Sequence, residues 1–283
     1  IILYDRKGKD KGLKGLIKIS SIVRRKAFDM SIDLQNNRTS HLIAWMGSVP
    51  RRFGYSSRKM GFLVNNKLKY LNIGAGPVEE QFRILKKAGI NTIGASKRLE
   101  IWPGKEDFSY IEKILKDEWV RENQILVGIN IGGSWKTKRW PLKYFARFSD
   151  MLAAKDIRVV VTGSGTESNL AEEFSRLARA KAINITGRTN ITQLAALIKK
   201  CRVYVTSDSA PMHIASAMGS DFIALFGPTD PRRHFEPSDK GVFIKKEINC
   251  GPCYKSTCNK NTCMEKISVD EVYKLVMERI ADS

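Results

Sequence analysis

The sequence predicts an α/β chain in which parallel sheets are covered by helices on both faces, in two successive domains. Three observations carry that prediction. Short, wholly apolar runs alternate with segments of helical periodicity. The turns that follow several of these runs are rich in Gly, Ser and Thr. The length, 283 residues, is enough for two domains of ordinary size. A polar stretch at 118–124 precedes the first strong strand, so the expected division is 1–120, 121–267 and a closing helix at 268–283.

In the first domain Ile1–Tyr4 reads as a short strand and Leu13–Lys26 as a basic amphipathic helix. Met30–Leu34 reads as a strand, followed by helices near Ser40–Met46, Val78–Ala88 and Phe108–Trp119. Gly74-Ala75-Gly76-Pro77 and Trp102-Pro103-Gly104 break the pattern as loops. The second domain alternates more cleanly. Ile125–Ile131 is a continuous apolar strand that ends at Gly132-Gly133-Ser134, and Pro141 opens a helix to about Ala154, where its missing N–H costs nothing. Ile157–Thr162 ends in Gly163-Ser164-Gly165, with a helix from about Glu167 to Ala180. Ile183–Ile185, Val203–Thr206 and Phe222–Phe226 read as further strands, and Ile191–Lys200 and Pro211–Met218 as further helices. Ser268-Val269-Asp270-Glu271 carries a capping-box pattern for the last helix, which runs to about Ile280. Two α/β domains in tandem imply a cleft, and ligands of open parallel sheets sit at the carboxyl ends of their strands.

Composition narrows the function classes. Lys and Arg number 49 against 29 Asp and Glu, a formal charge of +20, so the surface attracts anions. Residues 1–60 hold fourteen of the basic and four of the acidic residues, half of the total excess. No apolar run reaches the ~18–20 residues of a membrane span. Ile1-Ile2-Leu3-Tyr4 runs directly into charges, unlike a cleavable signal. No helix-turn-helix, RNP-like or zinc-finger spacing is present, so nucleic acid is not an expected partner.

Four segments bring chemistry to the strand ends. Gly132–Pro141 joins a Gly-rich turn to a Lys/Arg cluster, a combination that suits phosphate and equally suits a solvated loop. Thr206-Ser207-Asp208-Ser209-Ala210-Pro211-Met212-His213 places small residues before a helix N-terminus, where free N–H groups can meet a diphosphate. The plainer reading makes Ser207 and Asp208 helix caps and His213 a packed histidine. In Gly163-Ser164-Gly165-Thr166-Glu167 the acid can accept from ribose hydroxyls or simply favour the helix dipole. Phe226–Phe235 is a rigid Gly-Pro turn followed by basic residues, with Thr229 available to a ligand. Cys250, Cys253, Cys258 and Cys263 form C-x2-C-x4-C-x4-C, open to three readings: reduced packing thiols, one or two disulfides, or a structural Zn2+.

Taken together and in order, Gly132–Pro141, Gly163–Glu167, Thr206–His213 and Phe226–Pro237 resemble the lipopolysaccharide heptosyltransferases of glycosyltransferase family 9. The cysteine segment is similar to that of members resembling heptosyltransferase II. Asp5-Arg6-Lys7-Gly8, Asp29–Asn36 and Arg51–Tyr55 are similar to the family's acceptor domain. The resemblance implies a GT-B architecture, two Rossmann-like domains facing a cleft, with the last helix packing back on the first. It implies inverting transfer of L-glycero-D-manno-heptose from an ADP-sugar to the anionic lipid A and inner core of lipopolysaccharide. That activity would be cytoplasmic, peripheral on the inner face of the inner membrane, and would require no cofactor and no metal. By this resemblance Lys138 sits on the donor phosphates, Glu167 on the ribose, and Ser134, Asp208, Ser209, Ala210, His213 and Thr229 complete the donor site. Lys7, Lys9 and Lys11 would meet the acceptor. The family's base is an Asp in a Gly-Asp turn ahead of the part that resembles Ile1–Gly12, so it is expected before Ile1 and no catalytic residue is assigned. The first domain is accordingly expected to lack its first strand and helix. Two alternatives stand beside this one: a GT-B transferase for another nucleotide sugar, and a catalytically impaired relative that binds nucleotide or lipid.

Overall fold

The computed structural model describes residues 1–6, 8–56, 60–70, 76–236 and 238–282. The chain divides into two compact units, 1–97 and 98–283, and each is α/β with a wholly parallel sheet. The division falls ahead of the expected boundary at 120. The helix Lys105–Asp117 explains the shift: it buries Ile111, Ile114 and Leu115 in one cluster with Leu126, Val160 and Ile183 of the second sheet.

In the first unit α1 (Gly12–Arg25), β1 (Met30–Ile32), α2 (Arg38–Met46), β2 (Arg51–Tyr55), β3 (Asn66–Leu68) and α3 (Pro77–Lys87) follow in order. The sheet runs β1-β2-β3, and Phe53, Tyr55 and Ile84 form its small core. Ile1–Tyr4, expected as a strand, is irregular and pairs with nothing among the described residues. An apolar run becomes a strand only when a neighbour takes up its backbone groups. The expected loop 74–77 lies partly outside the described residues.

The second unit contains α4 (Lys105–Asp117), β4 (Leu126–Asn130), α5 (Leu142–Ala153), β5 (Arg158–Thr162), α6 (Ser168–Leu177), β6 (Ile183–Asn184) and α7 (Ile191–Lys200). Then come β7 (Val203–Ser207), α8 (Ala210–Ala217), β8 (Phe222–Phe226), α9 (Pro231–His234), β9 (Gly241–Lys245), α10 (Thr262–Glu265) and α11 (Val269–Ala281). The sheet order is β6-β5-β4-β7-β8-β9. The chain works outward from β4 to one edge, returns, and works outward to the other, which is the doubly wound order of dinucleotide-binding folds. Its switch point lies between β4 and β7, where the loops after the two strands diverge and leave a crevice at their carboxyl ends. Every residue of β4, β7 and β8 is buried, consistent with helices on both faces.

Trp140 anchors one face. It is 1% exposed, donates from Nε1 to the Ile267 carbonyl at 3.0 Å, and meets Phe145 edge-on at 4.9 Å. Ile267, Val269, Val272 and Val276 belong to the same core as Ile129, Val161 and Val205. The closing helix α11, expected to return to the first domain, therefore buries its apolar face in the second unit. Ser268 does cap it, accepting from the Glu271 N–H at 3.2 Å.

Candidate functional site

A cavity of about 640 Å3 opens at the switch point, and all of its walls come from the second unit. Asn130 ends β4, and Gly133, Ser134 and Arg139 follow it; Gly163, Ser164, Thr166 and Glu167 follow β5. Thr189, Asn190, Ile191 and Leu194 come from the start of α7, and Ser209, Ala210, Pro211 and Ile214 from the start of α8.

Glu167 ties two of these loops together. Its Oε1 accepts from the Gly133 N–H at 2.6 Å, and its Oε2 from the Ser164 N–H at 2.7 Å and the Ser164 hydroxyl at 2.9 Å. Burial acts to raise the carboxyl pKa, but these hydrogen bonds and nearby Arg139 outweigh it and hold the group below its ordinary value. Gly132 permits this approach, since a Cβ there would stand 2.1 Å from Glu167 Oε1. The Gly133 carbonyl is held from its other side by Arg139, whose Nε and Nη2 donate at 2.9 and 2.7 Å.

The start of α8 faces the same space. Ser209 has an extended backbone and makes no side-chain cap, its hydroxyl turning back to the Ser207 carbonyl at 3.2 Å. Pro211, in the first turn, has no N–H to satisfy. An uncapped helix start carries partial positive charge and suits an anion.

Beside the cavity lies a second polar group. Lys138 Nζ is 2.7 Å from Asp208 Oδ2, with both side chains largely buried, and 4.7 Å from the centre of the Trp135 ring. His213 is held below its ordinary pKa, first by burial and then by Lys138 and His234, with Asp208 opposing. His234 is lowered in the same way. Thr229, in the turn after β8, is 1% exposed, and its Oγ1 is buried without a hydrogen-bond partner. Lys245 Nζ donates to its carbonyl at 3.1 Å.

The structure thus places Ser134, Glu167, Ser209 and Ala210 on the cavity wall. Lys138, Asp208 and His213 sit together beside it, and Thr229 is enclosed rather than lining it. Arg139, Asn130 and the α7 contribution are additional to the residues chosen from sequence. Asn130 carried a signal, a polar side chain at the end of an apolar strand, 6% exposed and donating from Nδ2 to the Thr162 carbonyl at 3.4 Å.

In the first unit Lys9 and Lys11 are exposed on a turn organised by Asp5, which accepts from the Gly8 and Lys9 N–H groups. Lys7 lies outside the described residues. Asp10 is paired with Lys18 at 2.9 Å, and that hydrogen bond first of all holds its carboxyl below the usual range.

The cysteine segment packs against the loop after β4. The Lys255 carbonyl accepts from Thr137 Oγ1 at 2.7 Å, and Asn261 Nδ2 donates to the Arg139 carbonyl at 3.2 Å. Cys250, Cys253, Cys258 and Cys263 are unpaired thiols in this structure. Among the described residues no three His, Cys, Asp or Glu side chains gather to hold a metal ion. Burial raises the Cys263 thiol, whereas backbone N–H groups of Lys260 and Asn261 lower the exposed Cys258. Among the described residues no helix is long and apolar enough to cross a membrane.

Residues 16–264 match the model of glycosyltransferase family 9 (heptosyltransferase). Lipooligosaccharide heptosyltransferase 2 of Haemophilus influenzae is 28% identical over 232 residues, covering 78% of this chain and 66% of that protein, just under two thirds of its length. A solved family 9 glycosyl transferase from Veillonella parvula superposes with a TM-score of 0.81 at 22% identity, covering 100% of this chain and 82% of that one. The E. coli ADP-heptose lps heptosyltransferase II superposes at 0.72 with 21% identity, covering 94% and 81%. The chain shares the fold of both.

Proposed function

The chain belongs to glycosyltransferase family 9, and on that premise we propose that it transfers a heptose, with inversion, from an ADP-sugar to the inner core of lipopolysaccharide. The observation that carries this reading is the cavity at the β4–β7 switch point. It combines an uncapped helix start, a carboxylate fixed between two Gly-rich turns, and an apolar wall of Ile191, Leu194, Pro211 and Ile214. A purine fits the apolar wall, a ribose hydroxyl can donate to Glu167, and the diphosphate meets the N–H groups at Ser209 and Ala210. Ser134 lies at the cavity rim.

Inversion at the anomeric carbon leaves negative charge on the departing diphosphate as the sugar bond breaks. Fixed amide dipoles and side-chain cations stabilise that charge without reorganising, and electrostatic assistance of this kind needs no metal. Lys138 and Asp208 form the ion pair that positions this edge, with His213, whose pKa burial lowers, beside them. Thr229 supports the β8 end of the site from below. Exposed Lys9 and Lys11, on a basic first unit, supply charge for an acceptor that bears phosphates and carboxylates. Each basic residue near an acidic membrane contributes about 1 kcal/mol, enough for a handful to hold the protein peripherally on the cytoplasmic face of the inner membrane.

Donor profiling tests the reading. The chain is incubated with a Kdo-bearing lipid A acceptor and with ADP-, UDP- or GDP-linked sugars, and nucleotide release and glycolipid mass are followed. Acceptor-dependent release of ADP from ADP-heptose is expected. Turnover of a UDP- or GDP-sugar alone would replace the donor, and nucleotide binding without transfer by any donor would make the chain a binding relative.

A further inference from the structure

The loop after β4 makes one tight 3-10 turn at 136–138, closed by the Lys138 N–H donating to the Trp135 carbonyl at 3.1 Å. At about three residues per turn, side chains at i and i+3 stand over one another. The half-buried Trp135 ring accordingly meets the Lys138 ammonium, its centre 4.7 Å from Nζ. The turn is pinned from outside. Thr137, 3% exposed, donates to the Lys255 carbonyl at 2.7 Å, and the Arg139 carbonyl accepts from Asn261 Nδ2 at 3.2 Å. Lys138 Nζ also stands 2.7 Å from Asp208 Oδ2. That contact is an ion pair without hydrogen-bond geometry, since Asp208 Oδ2 is buried and accepts no hydrogen bond among the described residues. The ammonium therefore lies between a carboxylate and a ring face, and its N–H groups are not spent on the carboxylate.

We propose that Trp135 is a positioning residue: its indole face holds the Lys138 ammonium in place for the donor's diphosphate, acting through Lys138 and not on the ligand itself. This deepens the ADP-sugar reading and rests on it. A lysine ammonium is a point charge on a flexible stem, and attraction to Asp208 alone sets its distance without setting its direction. An indole face attracts a cation through its quadrupole and bears no net charge. It steadies the ammonium without cancelling the charge that a phosphate needs, which a second carboxylate at that position would do.

Calorimetric titration of ADP and of adenosine into the wild-type chain, Trp135→Leu, Trp135→Phe, Lys138→Met and the Trp135→Leu, Lys138→Met double variant tests this, with thermal melts as the check on folding. Trp135→Leu should weaken ADP about 3- to 10-fold, the scale of a partly desolvated cation–π contact, and leave adenosine within about twofold. Trp135→Phe keeps a ring face and should recover part of the loss. On the Lys138→Met background, Trp135→Leu should change ADP affinity by less than about twofold, because the cation it acts on is gone. If Trp135 only packs the loop, its loss will weaken ADP equally with and without Lys138, or ADP and adenosine together, and the proposal falls while the nucleotide reading stands. Full ADP affinity in Trp135→Leu overturns the proposal in the same way. A wild-type chain that binds no ADP overturns both.

Discussion

Replacing Glu167 by Gln keeps the side chain's shape but removes one of its two acceptor oxygens. The native carboxylate takes the Gly133 N–H on Oε1 and two Ser164 donors on Oε2, all at 2.6–2.9 Å. The best the amide can do is keep its oxygen on Ser164 and point its NH2 at the Gly133 N–H, donor against donor. Losing a charge-assisted hydrogen bond and opposing two donors costs about 1–3 kcal/mol, toward the lower end because the side chain is only half-buried. The β4 and β5 loops then separate, so ADP binding should weaken about tenfold at pH 7. The carboxyl pKa is lowered in the folded chain. Its contribution is therefore fully present above the unfolded value near 4.5 and is lost as pH falls through the lower folded value. Urea unfolding of wild type and Glu167→Gln at steps from pH 7 to pH 3 measures this, and the gap between the two should close in the acid range. Equal stability at pH 7, or a gap that stays constant down to pH 3, would refute the clamp.

Gly132→Ala should reproduce the binding defect from the opposite side. Its Cβ would stand 2.1 Å from Glu167 Oε1 and must displace the carboxylate, so ADP titration should show a loss similar to that of Glu167→Gln. Trp140→Phe removes the donor to the Ile267 carbonyl and leaves a gap beside Phe145; about 2–4 kcal/mol of unfolding free energy should be lost in urea titrations. Asp208→Asn should destabilise by about 2–4 kcal/mol by leaving Lys138 without its counter-charge in a largely buried setting. The double variant with Lys138→Met should cost less than the two single changes added together, as measured by a double-mutant cycle on urea unfolding.

The second unit was far more legible in the sequence than the first, for a physical reason. β4, β7 and β8 are buried on both faces, so their whole length is apolar and their limits show directly. β2 opens with Arg51 and Arg52, and β9 is an edge strand whose Phe243 is half exposed; neither carries that pattern. Ile1–Tyr4 has the composition of a strand without a partner, and pairing is not a local property. In the site, the Gly-rich turns and the helix start at Ser209 could be found because Gly and small residues mark backbone exposed to a ligand. The wall from α7 could not, because it depends on β6 and β5 lying beside β4 in the sheet. The different directions of Lys138 and Arg139 were equally hidden. The two are neighbours of like charge, and only the Gly133 carbonyl and the Asp208 carboxylate decide which way each one points.

Titration of ADP, UDP and GDP into the 283-residue chain by calorimetry is the most direct test that the switch-point crevice is a nucleotide site. Saturable binding of one ADP per chain, stronger than UDP or GDP, weakened by Glu167→Gln and unchanged by Lys9→Gln, is the predicted result. Absence of ADP binding, or an affinity indifferent to Glu167, would contradict it.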